Sequence, residues 1–442
     1  MSQEIPSPAT VVAPPRRDPA LDGVRGLAVL MVFWFHYGGG LESKNPLIHL
    51  AGFFTQACWI GIVIFFALSG FLITGSLWDS ISEKLPLRNY FIRRALRILP
   101  LYLLALGISF LGAMSAGIKF ETIKAFLVYL FFLQDVPYLA DIAQKTHSIF
   151  PLYHLWTLAV EEQFYLLWPL LLLGVDNRRG ARNLCIRVFI FSAFFRLIFA
   201  LPDLNFGRVS LYDDFLLTHA GSLALGGAVA LALRSRDRAT GRIAAPVRFL
   251  RRYAVPAFYG GIVLFIAIGI FKKNFLIAEP LQFMFGTLGL SVSAAALIAL
   301  ALRPGSVRTF FTMRILGFLG RISYGFYVFH ILLQPWFDLL GMRLTTFFLI
   351  RIPYSQNLYH TCRLLVAFPL TLMVAIVSFY LLEKPFLRLA RKFPMPSALP
   401  SGLHLLNSTR RDPTRHTIPA HEFISISQNP RKSRTPPTSR ND

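Results

Sequence analysis

Apolar runs recur along this chain from Leu21 to Leu382, and the short segments between them are alternately basic and not basic. A run of about twenty residues matches a hydrocarbon core about 30 Å thick at 1.5 Å per residue. Runs this long and unbroken point to helices rather than a barrel, because each helix satisfies its own backbone in lipid. The expected fold class is therefore all-α: a polytopic transmembrane helix bundle. Composition agrees, with 55% hydrophobic and 15% charged residues in 442 and a mean hydropathy of +0.54. A net charge of +23 could suit a nucleic-acid binder. The Lys and Arg, however, gather between the apolar runs and in a polar tail. That is the pattern of cytoplasmic loops beside anionic lipid, so membrane lipid is expected as a partner and nucleic acid is not. Cys58, Cys185 and Cys362 are isolated, which implies neither a disulfide framework nor a zinc site.

The basic segments set a topology. Residues 79–97, 176–187, 234–252 and 303–314 are rich in Arg and Lys and are assigned to the cytoplasm. The intervening helices are expected at about 21–36, 53–77, 97–112, 154–175, 184–201, 211–233, 253–271, 281–302, 315–336 and 361–382, with a longer outer loop after 336. The run Thr122–Gln134 is too short to span, and counting it as a crossing breaks the alternation. It is expected to be re-entrant and buried in protein. This gives ten full crossings with both termini cytoplasmic, placed in the plasma (inner) membrane. The domain organisation is a disordered lead at 1–20, a membrane domain at 21–390 and a disordered basic tail at 391–442.

Ionisable residues inside such runs are the functional candidates, because hydrocarbon penalises them. Arg25 and His36 lie eleven residues apart, which places both on one face of the first helix, about 16 Å apart along its axis. With Arg25 at the membrane edge, His36 would lie near mid-depth. Arg93, Arg94 and Arg97 open the third helix beside Arg25 and suit phosphate binding. None of Arg25, Arg94 and Arg97 has an obvious acidic partner nearby in sequence. Glu161 and Glu162 lie about 10 Å into the bilayer, at a level similar to His36, and one of them is expected to meet it. Ser323, Tyr327 and His330 form a polar stripe at i, i+4, i+7, for which interhelical hydrogen bonding is a sufficient account; Tyr327 and His330 are secondary candidates. His147, His154 and His219 rank lower, since loops and helix ends should solvate them.

These residues sit in motifs that resemble the acyltransferase-3 family of integral membrane acyltransferases. The matching pieces are Leu21-Asp-Gly-Val-Arg-Gly with His36, Phe66-Ala-Leu-Ser-Gly-Phe-Leu-Ile73 and Arg94-Ala-Leu-Arg97-Ile-Leu-Pro. His154-Leu-Trp-Thr-Leu-Ala-Val-Glu-Glu-Gln-Phe-Tyr-Leu-Leu-Trp-Pro169, Ile322-Ser-Tyr-Gly-Phe-Tyr-Val-Phe-His330 and Glu383-Lys-Pro complete the set. Together they run from residue 21 to about 390. The resemblance implies transfer of an acyl group, commonly acetyl from acetyl-CoA, to hydroxyls of a cell-envelope polysaccharide, a lipid-linked sugar or another exported acceptor. It places the family's Arg-x10-His motif on Arg25 and His36 and its Arg-x-x-Arg motif on Arg94 and Arg97. Ser69, inside the second motif, joins the secondary candidates. No Gly-Asp-Ser block of an SGNH-type esterase domain is found, so the expected form is stand-alone.

The expected mechanism builds on that layout. Acyl-CoA acts as donor substrate rather than as a tightly bound cofactor, its phosphates on Arg25, Arg94 and Arg97. His36 acts on the acceptor hydroxyl as general base, with Glu161 or Glu162 orienting it, or attacks the thioester itself as nucleophile. A transporter or flippase of a lipid-linked saccharide is the competing class, although no internal repeat supports it.

Overall fold

The computed structural model describes residues 18–39, 46–117, 120–144, 151–200, 214–235, 244–348 and 356–396. The regular structure among them is helical throughout, so the all-α bundle is observed. In chain order the helices are α1 (Pro19–Tyr37), α2 (Pro46–Ala57), α3 (Ile60–Ser82), α4 (Leu87–Ser115), α5 (Phe120–Leu130) and α6 (Pro137–Gln144). Next come α7 (Trp156–Leu173), α8 (Arg178–Phe199), α9 (Leu216–Leu233), α10 (Ala245–Lys272) and α11 (Thr287–Ala301). The chain continues with α12 (Ser306–Phe311), α13 (Arg314–Leu332), α14 (Gln334–Phe348), α15 (Gln356–Ser378) and α16 (Lys384–Ala390). Among the described residues, seven helical stretches are long and apolar enough to cross a membrane: Leu50–Ser82, Leu87–Ser115, Leu216–Leu233, Ala245–Lys272, Gln282–Ala301, Arg314–Leu332 and Gln356–Ala390. The remaining long helices α1, α7 and α8 carry ionisable side chains within their apolar length, among them Arg25, Glu161 and Arg196.

Several boundaries differ from the sequence expectation, each for a local reason. The run expected at 53–77 is two helices, α2 and α3, joined by a turn at Cys58-Trp59. The helix expected to reach Trp336 stops at Leu332, because Pro335 has no N–H to give the Ile331 carbonyl and its ring would crowd that carbonyl in a continuing helix. The segment beyond it, expected as a loop, is no plain loop, since α14 forms there and packs on α15. The helix expected to end at 382 passes through a π turn at Phe379–Glu383 into α16. The expectations for residues 1–17 and 397–442 lie outside the described residues, but Arg391–Pro396 run against α4, held by Asn89 Nδ2 on the Pro394 carbonyl at 3.0 Å and Arg93 on the Phe393 carbonyl at 2.9 Å.

The short run is built as its length requires. α5 has 11 residues, about 16 Å of helix, half of a hydrocarbon core. In the turn after it Gln134 and Asp135 are buried, and protein groups bond to it: Gln163 Nε2 donates to the Phe132 carbonyl at 2.7 Å and Gln134 Nε2 to the Leu155 carbonyl at 2.9 Å. Non-helical backbone at membrane depth is tolerable under that condition.

Two close helix pairs set the frame. α1 meets α13 through Gly26 and Gly320, and α3 meets α9 through Gly70 and Gly226. A Cβ at Gly320 would lie 1.8 Å from the Asp22 carbonyl oxygen, and one at Gly70 would lie 1.8 Å from that of Leu223. Small residues let backbones approach this closely, so packing replaces the hydrophobic drive that lipid removes. Asp18 caps α1 by accepting from Ala20 N at 2.9 Å, and its other oxygen pairs with Arg308 at 3.0 Å.

Candidate active site

Helices α1, α3, α4, α7, α13 and α16 surround one cavity of about 950 Å³, near the upper end of small-molecule sites. Helix α3 contributes Ile62, Phe65, Ser69, Leu72 and Ser76, a stripe at helical spacing whose members are all half-buried. Arg25, Arg93, Arg94 and Arg97 line the cavity as the sequence suggested, and so do Arg321, Lys384, Arg388 and Arg391. Eight basic side chains face three acidic ones, Asp18, Asp22 and Glu161, so the space favours an anion. Sequence reasoning passed over the last four cations. Lys384, Arg388 and Arg391 fall at i, i+4, i+7, a spacing that marks one face of α16.

The arginines are not without acidic neighbours, contrary to expectation. Arg25 pairs with Asp22 at 3.3 Å, one helical turn away, a contact that i, i+3 spacing offers directly. Arg94 lies within electrostatic reach of Glu161 and Glu162, and Arg97 within reach of Glu383. The Arg94 guanidinium also sits 4.0 Å above the Tyr165 ring. Tyr165 donates to Glu161 Oε2 at 2.5 Å, and Ser69 donates to the Tyr165 oxygen. Arg94, Glu161, Tyr165 and Ser69 thus form one half-buried network on the cavity wall, with Glu162 behind it.

The expectation that Glu161 or Glu162 would meet His36 fails. Both carboxylates turn toward Arg94, because a buried carboxylate is compensated best by a cation. His36 lies in the last turn of α1, a helix about 28 Å long, and is half-buried outside the lining of the cavity. Its neighbours are other histidines. His36 Nδ1 is 2.8 Å from the Val32 carbonyl and 3.3 Å from His330 Nε2. His330 and His154 meet edge to face with ring centroids 5.1 Å apart, and His154 and Tyr327 lie tilted at 5.2 Å. The low rank given to His154 and His219 is corrected as well: they are 3% and 1% exposed, packed in aromatic surroundings rather than solvated. His147 lies outside the described residues.

The secondary candidates connect cavity and histidines. Tyr327 lines the inner end of the cavity with Thr157, which donates to its hydroxyl at 2.6 Å, and Tyr327 in turn donates to the His154 carbonyl. Behind it lies His330. An anion-binding space therefore leads to a hydroxyl pair, and beyond that pair stand the joined imidazoles of His330 and His36. Comparison with known proteins bears on what such an arrangement does. The model of the acyltransferase domain family (Acyl_transf_3) matches residues 18–383. This chain belongs to the acyltransferase-3 family.

Among relatives, peptidoglycan O-acetyltransferase OatA of Listeria monocytogenes is 28% identical over 331 residues, covering 71% of this chain and 48% of that protein. Putative peptidoglycan O-acetyltransferase YrhL of Bacillus subtilis is 28% identical over 329 residues, with the same two coverages. O-acetyltransferase OatA of Staphylococcus aureus is 29% identical over 184 residues, 40% of this chain and 28% of the relative. The chain thus spans about half the length of the first two. No solved structure matches it. The cavity wall contributed by Lys384–Pro396 lies beyond the region that defines the family.

Proposed function

We propose that this acyltransferase-3 member moves an acyl group, acetyl in the simplest case, from cytoplasmic acyl-CoA to hydroxyls of a cell-envelope polysaccharide. The observation that carries the reading is the cationic cavity lined at its inner end by Tyr327, with the His330–His36 pair behind that ring. Arg25, Arg97 and the outer cations receive the donor phosphates, since charged hydrogen bonds to guanidinium are the strong ones. Arg94 is held by Glu161, Glu162 and Tyr165 and shapes the wall. The pantetheine arm runs inward along the roughly 16 Å from Arg25 to His36. Tyr327 stands between the inner end and His330, so delivery to His36 requires its phenol to leave Thr157.

The acceptor hydroxyl then loses its proton to His36 Nε2 while its oxygen attacks the thioester carbonyl. The carbon–sulfur bond breaks, and the departing thiolate takes the proton. Attack by His36 itself, through an acyl-imidazole, uses the same nitrogen. The names of the relatives support a peptidoglycan-type acceptor, and the basic segments support the arginine end as cytoplasmic. Family membership supports transfer over transport, and no observed feature favours a flippase.

The test is thiol release from acetyl-CoA, with transfer of radiolabelled acetyl to peptidoglycan fragments, by purified protein in lipid nanodiscs. His36→Ala should bind acetyl-CoA as the wild type does and lose about 10²–10⁴-fold in transfer. Absence of both thiol release and labelled glycan with the wild-type protein overturns the reading.

A further inference from the structure

We infer that His330 is a positioning residue that fixes the tautomer of His36 by accepting a hydrogen bond from its Nδ1–H, in the place where other histidine sites use a carboxylate. This role rests on the transferase reading and is one that the Arg-x10-His motif does not contain.

Hydrogen positions can be assigned from one end of a chain of acceptors. A carbonyl oxygen can only accept, and the Tyr327 carbonyl lies 2.5 Å from His330 Nδ1. His330 Nδ1 therefore carries hydrogen. In the neutral ring this leaves the lone pair on Nε2, and Nε2 faces His36 Nδ1 at 3.3 Å. His36 Nδ1 has a second neighbour, the Val32 carbonyl at 2.8 Å, which also can only accept. Both neighbours require the hydrogen of His36 to reside on Nδ1. The lone pair of His36 is then on Nε2, which makes no hydrogen bond among the described residues. That nitrogen is the one able to take a proton or attack a carbonyl carbon.

Two further contacts hold His330 where this works. Tyr37 donates to the His330 backbone carbonyl, tying α1 to α13 at the level of the pair. The His330 ring is 1% exposed, flanked by the rings of His154, Tyr327 and Phe33. When His36 becomes a cation by taking the acceptor's proton on Nε2, its Nδ1–H still points at two acceptors. A triad aspartate does this with a full charge. Here a neutral imidazole and a carbonyl do it among buried groups, without burying a carboxylate.

The experiment compares three variants with acetyl-CoA as donor and peptidoglycan fragments as acceptor. His330→Phe keeps ring packing and removes the acceptor; His330→Gln offers a carbonyl oxygen near the position of Nε2; His36→Ala/His330→Phe tests dependence. The expected result is a kcat about tenfold to a hundredfold lower in His330→Phe with unchanged acetyl-CoA affinity, and partial recovery in His330→Gln. The double variant should be no slower than His36→Ala alone, because residues acting as one unit are non-additive. A second readout avoids transfer altogether: carbethoxylation of His36 by diethyl pyrocarbonate, followed on its peptide by mass, should slow in His330→Phe and recover in His330→Gln. Equal behaviour of the Phe and Gln variants in both readouts overturns the inference, as does an additive loss in the double variant. Normal carbethoxylation differences in a protein that transfers nothing would overturn the transferase reading instead and leave the tautomer assignment standing.

Discussion

Replacing Gly320 by Ala tests the contact that sets the cavity. Its Cβ would lie 1.8 Å from the Asp22 carbonyl oxygen, while real Cβ contacts hold to at least 3.0 Å, so α13 and α1 must part by about 1.2 Å. The obstacle is backbone, which cannot rotate away as a side chain would. Over-packing of this kind destabilises by about 1–3 kcal/mol, against a gain of up to about 1 kcal/mol from the better helix propensity of Ala. Arg321 follows Gly320 directly and Arg25 is one turn from Asp22, so the same displacement separates two cations of the cavity. Losing one charged hydrogen bond to the donor would remove a further ~1.5–3 kcal/mol of binding. Gly317→Ala is the control on the same helix, because a Cβ there meets nothing within 4 Å. Thermal unfolding in detergent should show Gly320→Ala less stable than wild type and Gly317→Ala equal or more stable. Calorimetric titration with acetyl-CoA should show weaker binding for Gly320→Ala alone. Matching stability and affinity in the two variants would refute the close-contact account of this pair.

The other expectations separate groups that share the cavity. Arg97→Ala should weaken acetyl-CoA binding by about tenfold or more, in line with a charged hydrogen bond worth ~1.5–3 kcal/mol, and should also lower the melting temperature, since Glu383 loses its nearby cation. Arg94→Ala should lower the melting temperature by taking the nearby cation from Glu161 and Glu162 while changing acetyl-CoA affinity less; calorimetric titration distinguishes the two. For topology, single cysteines at Ser115 and Gln144 should both react with an impermeant maleimide added outside, and labelling of only one would show that the 122–134 run crosses.

The helical class and the region of each motif were legible because hydropathy and spacing are local properties. Arg25, Arg94 and Arg97 could be gathered from their place at helix starts, and they do line one cavity. What spacing could not give was lateral neighbourhood. Depth along the axis made Glu161 and His36 look like partners, yet α7 presents Glu161 to α3 and α4 through Tyr165, Ser69 and Arg94. The partner of His36 comes from α13, and the glycines that bring α13 against α1 read in sequence only as small residues. His154 was underrated for a related reason. Its place before a helix suggested solvent, and burial at that point depends on Tyr327 and His330 from a distant part of the chain.

The wall at the mouth of the cavity has an implication for how the protein is made. Asp18 and Asp22 stand on one side of it, and Pro394, Met395 and Pro396 on another, so its parts come from the first and last described residues. A ribosome delivers the first helix to the membrane long before the last. Throughout synthesis the cavity therefore lacks the wall that the last segment supplies. Its completion waits for translation to reach the segment after α16, and a nascent chain released before that point would keep its helices while leaving the arginine cavity unwalled on that side.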